Sequence, residues 1–259
     1  MVDRKVTVIL SFDDGPRGTY SKVLGKLRDR IHPIDGEIRL IPAAFFLQNC
    51  LLGNSTPNFE TTGGFRRGTA IVNAGHYVAI HTGGRGDHVC HRVRVSKPFE
   101  SLRHEVVVPP SAGLTALDSD MQRAKRTFQV LTGAKPKYVR AVHGHTNEAV
   151  IAAYTRQSLE NVHWTIDSKD SHGIPAADVI KSLKEDTKKY SNLETLVYLF
   201  HDNGVTARKL GEYIDAIQNT LKENGCVAIY PKNTTEVELG LITAVGKGEF
   251  GTCKHVEKP

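Results

Sequence analysis

Two adjacent carboxylates, Asp13 and Asp14, follow an apolar segment near the start of the chain. Residues 5–11 are rich in β-branched side chains, which is typical of a buried parallel strand, and Gly15-Pro16 ends the segment. Neighbouring residues of a strand point to opposite sides, so one carboxylate can bind a metal ion while the other moves a proton. The same residues are also typical of a simple turn, and alone they leave both interpretations open.

Ionisable residues also follow the other strands that the sequence predicts. Each stands where an apolar run ends, and they are His81, Arg140, Asp167, Asp170 and His201, with His143 and His145 just beyond Arg140. A cap or a turn explains any one of these residues, but it explains poorly why they all stand at strand ends. Because active sites of α/β folds lie at the carboxyl ends of the strands, the sequence predicts an active site at that edge.

Short apolar runs alternate with amphipathic segments, which predicts an α/β, barrel-like fold in a single domain over residues 1–259. Seven strands are expected, at 5–11, 38–46, 76–81, 138–142, 162–166, 195–200 and 226–230. Helices are expected between them, at 20–31, 69–73, 117–131, 148–154, 176–190 and 207–224. The remaining segments predict a loop at 53–68, an insertion near the functional face at 83–113 and a polar tail from about 240.

The composition argues against several classes of protein. The net charge is +6, but the basic residues are scattered and only 7% of residues are aromatic, so no nucleic-acid-binding module is expected. No apolar run approaches the roughly 18 residues of a membrane span. The four cysteines have no paired spacing, which predicts a reducing compartment. Without a signal peptide, we expect a cytoplasmic location, or export by a route that needs none.

Four segments that contain the candidate residues resemble motifs of the polysaccharide deacetylases, the family 4 carbohydrate esterases, which include chitin and peptidoglycan deacetylases. They are Ser-Phe-Asp-Asp-Gly-Pro at 11–16, Gly-His-Tyr-Val-Ala-Ile-His-Thr at 75–82, Trp-Thr-Ile-Asp-Ser-Lys-Asp at 164–170 and Leu-Val-Tyr-Leu-Phe-His-Asp at 196–202. Their order and spacing match across about residues 5–230. The resemblance implies a distorted (β/α)7 barrel and metal-dependent removal of acetyl groups from N-acetylated sugars.

The resemblance further implies that Asp14 and His81 bind the metal, with Zn²⁺ expected and another divalent transition metal as the alternative. The family's second metal histidine usually lies four residues after the first, where this chain has Arg85, which cannot bind a metal. The glycines around Arg85 allow a loop that returns an imidazole to the site. We therefore expect His88 as the third ligand, with His91 as the alternative and a surface histidine as the remaining interpretation.

Roles in the reaction also follow from the resemblance. Asp13 matches the general base, and His201 matches the general acid that protonates the leaving amine. Asp170 matches the carboxylate that tunes this histidine. Arg140 matches the arginine that holds the base, and Leu199 matches an apolar residue of the acetyl pocket. The residue types suit amide hydrolysis, because a carboxylate accepts the proton of an activated water and an imidazolium protonates nitrogen near neutral pH.

Two further positions depart from the family's pattern. His143 stands where the family has an aromatic residue whose backbone N–H helps to hold the oxyanion, a role that does not depend on the side chain. His143 and His145 are alternatively substrate contacts or polar residues of a loop. Ser171 follows Asp170 where a bulky tryptophan is common, which opens that wall of the substrate groove.

The leading hypothesis is a zinc-dependent hydrolase of C–N bonds other than peptide bonds, which deacetylates N-acetylated amino sugars of peptidoglycan or a related glycan. The second hypothesis is a metal-dependent amidohydrolase of the same fold that acts on non-sugar amides or cyclic imides. The third is a catalytically inactive carbohydrate-binding relative. Arg85 favours this third hypothesis, whereas Asp13, Asp14, His81 and His201 oppose it.

Overall fold

The computed structural model describes residues 4–53, 59–83 and 112–246, and it confirms the predicted α/β fold class. The strands are β1 (Arg4–Gly15), β2 (Arg30–Ile31), β3 (Ile38–Arg39), β4 (Ala44–Gln48), β5 (Tyr77–His81), β6 (Tyr138–Arg140), β7 (Glu160–Asn161), β8 (Ile166–Asp167), β9 (Thr195–His201) and β10 (Cys226–Ile229). The helices are α1 (Tyr20–Arg28), α2 (Gly63–Asn73), α3 (Ala112–Thr132), α4 (Glu148–Arg156), α5 (Ala176–Tyr190), α6 (Gly204–Glu223) and α7 (Thr234–Gly246).

The chain forms two compact units. Of the described residues, the first unit contains 4–45, 73–77 and 163–246, and the second contains 46–53, 59–72, 78–83 and 112–162. The boundaries pass through β4 and β5, whose first residues belong to the first unit and whose last residues belong to the second. Each unit is assembled from separate segments of the chain, so the two units are not successive domains along the sequence.

The central strand of the first unit is β1, which pairs in parallel with both β9 and β10. β9 in turn pairs in parallel with β8. The side chains of Val6, Val8, Ile9, Leu10 and Phe12 in β1 are fully buried. Parallel strands that are covered on both faces carry continuous apolar runs rather than an alternating pattern. The apolar run of residues 5–11 therefore predicted this strand correctly.

Helices of the first unit cover this sheet, and α7 packs against β1 and β9. A Cβ atom at Gly240 of α7 would come within 2.6 Å of Ile9 Cδ1, so any larger residue would force the buried isoleucine to move. Val237, Leu241 and Ala244 of the same helix are fully buried. The polar tail predicted from about residue 240 is therefore wrong for residues 240–246, which form a helix with a buried apolar face.

In the second unit, β5, β6 and β7 are parallel neighbours in that order. α3 packs against α4, and Arg156 of α4 forms an ion pair with Asp118 of α3 at 2.9 Å. Gly133 follows α3 in the left-handed conformation, and its N–H donates to the Gln129 carbonyl at 2.9 Å. A glycine favours this conformation because it has no Cβ, and this glycine therefore ends α3 in the way that is common at helix C-termini.

Two predicted elements of the first fifty residues have different bounds in the structure. The helix predicted over 20–31 ends at Arg28, because Arg30–Ile31 pairs with Ile38–Arg39 in an antiparallel hairpin. The strand predicted over 38–46 is divided into β3 and β4. The division lies at Pro42, which has no N–H to donate to a strand ladder.

Further along the chain, the strand predicted over 162–166 is wrong except at its last residue, where β8 begins. The Val162 N–H donates to the Val139 carbonyl, whereas the Thr165 N–H donates to the Val197 carbonyl. The segment therefore changes partner within four residues and does not pair continuously with one strand. The loop predicted over 53–68 is also wrong from Gly63, where α2 begins. The insertion predicted at 83–113 lies mostly outside the described residues.

No helix in the described ranges has the length and apolar character that crossing a membrane requires.

A buried neutral histidine in the first unit makes the stability of the fold dependent on pH. His76 is 2% exposed, its Nδ1 accepts the Ala43 N–H at 3.3 Å, and its ring packs edge-on against Phe45. Nε2 has no hydrogen-bond partner within the described part of the chain. Burial lowers the pKa of His76 from its ordinary 6.5 to about 4.

We predict that the free energy of unfolding falls as the pH is lowered from 6.5 to 4. In this range His76 binds a proton in the unfolded chain but stays neutral when it is buried in the folded protein. The full effect is about 3 kcal/mol, since each pKa unit corresponds to about 1.4 kcal/mol. In urea unfolding between pH 4 and pH 7, His76→Asn should reduce this pH dependence, and the same change at exposed His172 should not. An unchanged pH dependence in His76→Asn would contradict the prediction.

Candidate active site

The carboxyl ends of β1 and β9 bring Asp13 and His201 side by side in the first unit. Asp13 is the partner of His201 in the parallel register, and the Asp202 N–H donates to the Asp13 carbonyl at 2.9 Å. Asp13 is 3% exposed. The sheet holds this register from the Thr7–Thr195 pair onward, so backbone pairing fixes where these two candidate residues stand relative to each other.

Asp170 contacts His201 through both carboxylate oxygens. Oδ1 lies 2.7 Å from His201 Nδ1, and Oδ2 accepts the His201 backbone N–H at 2.9 Å. The carboxylate therefore fixes both the backbone and the imidazole ring of His201. A carboxylate at Nδ1 requires a proton on that nitrogen, so Nε2 is the ring atom that can exchange a proton with a substrate. The structure thus places Asp170 against His201, and the predicted role of Asp170 in tuning this histidine stays a prediction.

Two residues that the sequence analysis did not identify complete the surroundings of Asp170. Asn203 Nδ2 donates to Asp170 Oδ2 at 3.2 Å, and the Thr206 hydroxyl donates to the same oxygen. Asn203 also caps α6, because its Oδ1 accepts the N–H groups of Val205 and Thr206, each at 2.9 Å. An asparagine ahead of a helical segment is a cap signal that predicts a helix start at 204 rather than at 207.

The charges at this site change the pKa values of both partners. Burial lowers the pKa of His201, but the hydrogen bond to Asp170 and the charge of that carboxylate outweigh burial and raise the pKa to about 9. The charges of Asp13 and Asp14 add to this increase. Burial raises the pKa of Asp170, but its contacts with His201 and Thr206 outweigh burial and hold that pKa below its ordinary value. At neutral pH the pair is therefore an imidazolium and a carboxylate.

These shifts define a pH range in which the pair stabilises the folded protein. The pKa of His201 is raised, so its contribution is complete below its ordinary pKa of 6.5 and is lost as the pH rises through about 9. The pKa of Asp170 is lowered, so its contribution is present above its ordinary pKa of 3.8 and is lost as the pH falls through the lowered value. Neutral pH lies within both ranges.

Asp14 occupies an unusual backbone conformation next to the buried base candidate. Its φ of 68° lies in the left-handed region, which non-glycine residues rarely adopt outside turns and functional sites. The Asp14 side chain is 29% exposed, and Arg17 Nη2 donates to its Oδ2 at 3.2 Å. Arg17 Nε also donates to the Asp14 carbonyl at 3.0 Å. The carboxylate is therefore held by a cation on one side while part of it faces solvent.

In the second unit, His81 ends β5 as predicted and is 3% exposed. Its Nδ1 lies 3.0 Å from the Arg140 carbonyl oxygen. A carbonyl oxygen only accepts hydrogen bonds, so Nδ1 carries the proton, and the lone pair of the neutral ring is on Nε2. Metal-bound histidines commonly have this arrangement, in which a backbone carbonyl orients the ring.

Arg140 is fully buried in the second unit. Its Nε donates to the Val162 carbonyl at 3.1 Å, and its guanidinium carbon lies 3.7 Å from the centre of the Phe46 ring. Stacking of this kind fixes the plane of a guanidinium group, and the electron-rich face of the ring stabilises the buried positive charge. The predicted role of Arg140, which is to hold Asp13, stays a prediction.

The remaining candidate residues lie in different surroundings. Leu199 in β9 is 3% exposed, and its carbonyl accepts the Ser168 N–H at 3.1 Å. His143 is exposed on a 3-10 turn at Val142–Gly144, with a φ of 55°, and its ring centre lies 6.0 Å from that of His145. The predicted roles of Leu199 in an acetyl pocket and of His143 at an oxyanion or a substrate stay predictions.

The donor groups of Asp14 and His81 are of the types that bind Zn²⁺. Zinc prefers imidazole nitrogen, carboxylate oxygen and thiolate ligands, and catalytic zinc sites have three protein ligands with one open position. The described residues contain no group of three or more such side chains arranged to hold a metal ion. Both candidates for the third ligand, His88 and His91, lie outside the described residues.

Several solved structures with a similar fold are carbohydrate deacetylases or esterases, and another is a pseudoenzyme. A family 4 carbohydrate esterase from Streptomyces lividans, in complex with acetate, is 22% identical over 86% of this chain and 91% of that chain, with a TM-score of 0.56. The chitin deacetylase of the fungal pathogen Colletotrichum lindemuthianum is 18% identical over 88% of each chain, with a TM-score of 0.55. A family 4 pseudoenzyme from Bacillus anthracis is 16% identical over 88% of this chain and 64% of that chain, with a TM-score of 0.57. These likenesses show the fold of family 4 carbohydrate esterases.

A family model described as polysaccharide deacetylase matches residues 2–162, which is more than half of the chain. The chain therefore belongs to the polysaccharide deacetylase family, as the sequence motifs predicted. The matched residues include Asp13, Asp14 and His81, whereas Asp170 and His201 lie beyond them. No match was found among curated proteins.

The contacts around Asp170 predict how the pKa of His201 depends on this carboxylate. In Asp170→Asn, both the negative charge and one acceptor at His201 are lost, so burial should dominate and the pKa of His201 should fall well below about 9. We expect this fall in an NMR pH titration of the metal-free protein. Asp167→Asn is the matched control, because Asp167 Oδ1 accepts only the Lys169 N–H in the described contacts. Equal titration midpoints in Asp170→Asn and the wild type would contradict the prediction.

Proposed function

We propose that the chain is a metal-dependent deacetylase that hydrolyses the acetamido group of N-acetylated amino sugars. The observation that carries this proposal is the pair formed by His201 and Asp170 beside Asp13. The imidazolium lies next to a second carboxylate at the end of two paired strands, so an acid and a base stand together in one site. Amide hydrolysis needs both groups, since a proton must leave the attacking water and another must reach the departing nitrogen.

The proposed metal ligands are Asp14, His81 and His88, with His91 as the alternative to His88. The donor types and the Nδ1 contact of His81 support this set, and Zn²⁺ is the proposed metal. When bound, a divalent metal supplies Lewis acidity, which makes a water molecule more acidic and polarises a carbonyl group. The Asp14 carboxylate also forms an ion pair with Arg17.

The proposed reaction assigns one proton transfer to each of two residues. Asp13 accepts a proton from the attacking water, and Arg140 positions this carboxylate. The His201 imidazolium donates a proton from Nε2 to the departing amine nitrogen. Asp170 keeps the imidazole oriented through Nδ1 and keeps it charged until that transfer, as carboxylates do for catalytic histidines in general. Leu199 and His143 are proposed to contact the acetyl group and the substrate.

The proposed substrate class is peptidoglycan or a related glycan. Two structures with similar folds are named a peptidoglycan N-acetylglucosamine deacetylase and a chitin deacetylase. Peptidoglycan is an anionic polymer, and the net charge of +6 on this chain favours an anionic partner over a neutral one. Acetate release should therefore be measured on both chitooligosaccharides and peptidoglycan fragments.

The central test is acetate release by the zinc-loaded protein. We expect Asp13→Asn to lower kcat by roughly 100-fold or more, because a missing general base typically costs two to four orders of magnitude. Asp178→Asn is the control, because it makes the same chemical change at an exposed carboxylate in the first turn of α5. No acetate from either substrate with the zinc-loaded wild type would overturn the proposed function.

The identity of the third metal ligand is tested separately. His88→Ala should abolish retention of Zn²⁺ after dialysis, and His91→Ala should not, because loss of one of three protein ligands weakens the site far more than loss of a neighbouring imidazole. Metal content is measured by atomic emission on the purified variants. The reverse outcome would assign the ligand to His91, and retention of zinc by both variants would reject both residues.

A second candidate function is glycan binding without catalysis. Arg85 stands where the family usually has a metal ligand, and one of the similar structures is a family 4 pseudoenzyme, whose mutant is described as having restored activity. The same acetate assay distinguishes the two functions when it is combined with a binding measurement. Retention of the glycan without any acetate release would support the binding function and contradict the deacetylase.

A further inference from the structure

Asp202 makes three contacts with the segment that carries the two candidate aspartates. Its N–H donates to the Asp13 carbonyl at 2.9 Å. Its Oδ2 accepts the Arg17 N–H at 2.6 Å, and its Oδ1 accepts the Thr19 hydroxyl at 2.5 Å. Asp202 thus bridges the beginning and the end of the turn that contains Asp14, and it does so from the residue that follows His201.

The hydrogen bond between Thr19 and Asp202 takes the place of the hydrogen bond that a threonine at this position usually makes within its own helix. Thr19 occupies the N-cap position of α1, where a threonine side chain commonly accepts an N–H of the first helical turn. In this chain the Thr19 side chain makes no cap hydrogen bond, and its hydroxyl donates to Asp202 instead. The local cap is replaced by a contact across 183 residues of sequence, which holds the turn against β9.

The surroundings of Asp202 indicate that it supports the site and does not react itself. The residue is 1% exposed, and each of its carboxylate oxygens already accepts a strong donor. Between its contacts lies Asp14, a non-glycine residue at a positive φ, whose carboxylate is 29% exposed. A backbone held in the left-handed region persists only where its surroundings fix it. Asp202 supplies that restraint on both sides of the strained residue.

We propose that Asp202 is a positioning residue that holds the Asp14 carboxylate in the orientation needed to bind a divalent metal. This inference rests on the proposed function for the role of Asp14. Thr19 and the Arg17 N–H are the partners through which Asp202 acts. Outer contacts that orient a metal-binding carboxylate typically change metal affinity by about 10- to 100-fold when they are removed.

The experiment measures the Kd for Zn²⁺ by titration calorimetry in variants of the full chain. Thr19→Val removes the hydroxyl, and we expect its Kd to rise roughly 10-fold, whereas Thr19→Ser should restore the wild-type value. Asp202→Ala removes both acceptors and should raise the Kd further. If Asp202→Ala does not fold, the two Thr19 variants alone decide the outcome.

A matched control separates positioning from general stability. Thr187 is fully buried, and its hydroxyl forms a hydrogen bond with the Tyr198 hydroxyl at 2.9 Å, away from Asp14. Thr187→Val therefore makes the same chemical change and should lower Tm to a similar extent while leaving the Kd for Zn²⁺ unchanged. A merely structural role of Thr19 would make the two valine variants alike in both measurements.

The outcomes for this inference and for the proposed function are distinct. An unchanged Kd in both Thr19→Val and Asp202→Ala would overturn the positioning role, whether or not the protein releases acetate. A protein that binds Zn²⁺ more weakly in Thr19→Val, but releases no acetate as wild type, would keep the positioning role and overturn the deacetylase. A wild type that binds no Zn²⁺ would overturn both.

Discussion

The parallel pairing of β1 with β9 is the interaction on which the candidate active site depends. Backbone hydrogen bonds fix the register of the two strands, and the register places Asp13 beside His201 at their shared end. A slip of one residue would turn every side chain of β1 to the opposite face of the sheet. The buried apolar residues of both strands prevent such a slip, because it would exchange their tightly packed positions.

Hydrogen-bond donors close to each buried carboxylate of the site offset the cost of removing it from water. A buried carboxylate is costly unless donors surround it, and each of the two fully buried carboxylates that follow β8 and β9 has such donors. Asp170 uses His201, Asn203 and Thr206, whereas Asp202 uses the backbone of Arg17 and the side chain of Thr19. The segments after the strands therefore supply both the reactive groups and the hydrogen-bond donors that compensate for the burial of these carboxylates.

Local signals in the sequence were sufficient for the long elements. The helix over 176–190 has the same bounds as α5, and the strand over 195–200 differs from β9 by one residue. Strands of two residues, such as β7 and β8, have no periodic pattern of their own, because a partner strand defines them. Most of the site depended on motif resemblance, and the donors to Asp170 were missed because Asn203 and Thr206 look like ordinary residues of a helix start.

The arrangement of β1 also has a consequence for synthesis of the protein on the ribosome. Ser11 of β1 donates to the carbonyl of Tyr198, a residue 187 positions later in the chain. At about 5–20 residues per second, the first strand therefore emerges roughly 10–40 seconds before the strand it must join. During that interval the edge of β1 that pairs with β9 lacks its native partner. An unpaired strand edge of this kind is prone to aggregation, and here the exposure lasts until the last third of the chain has been translated.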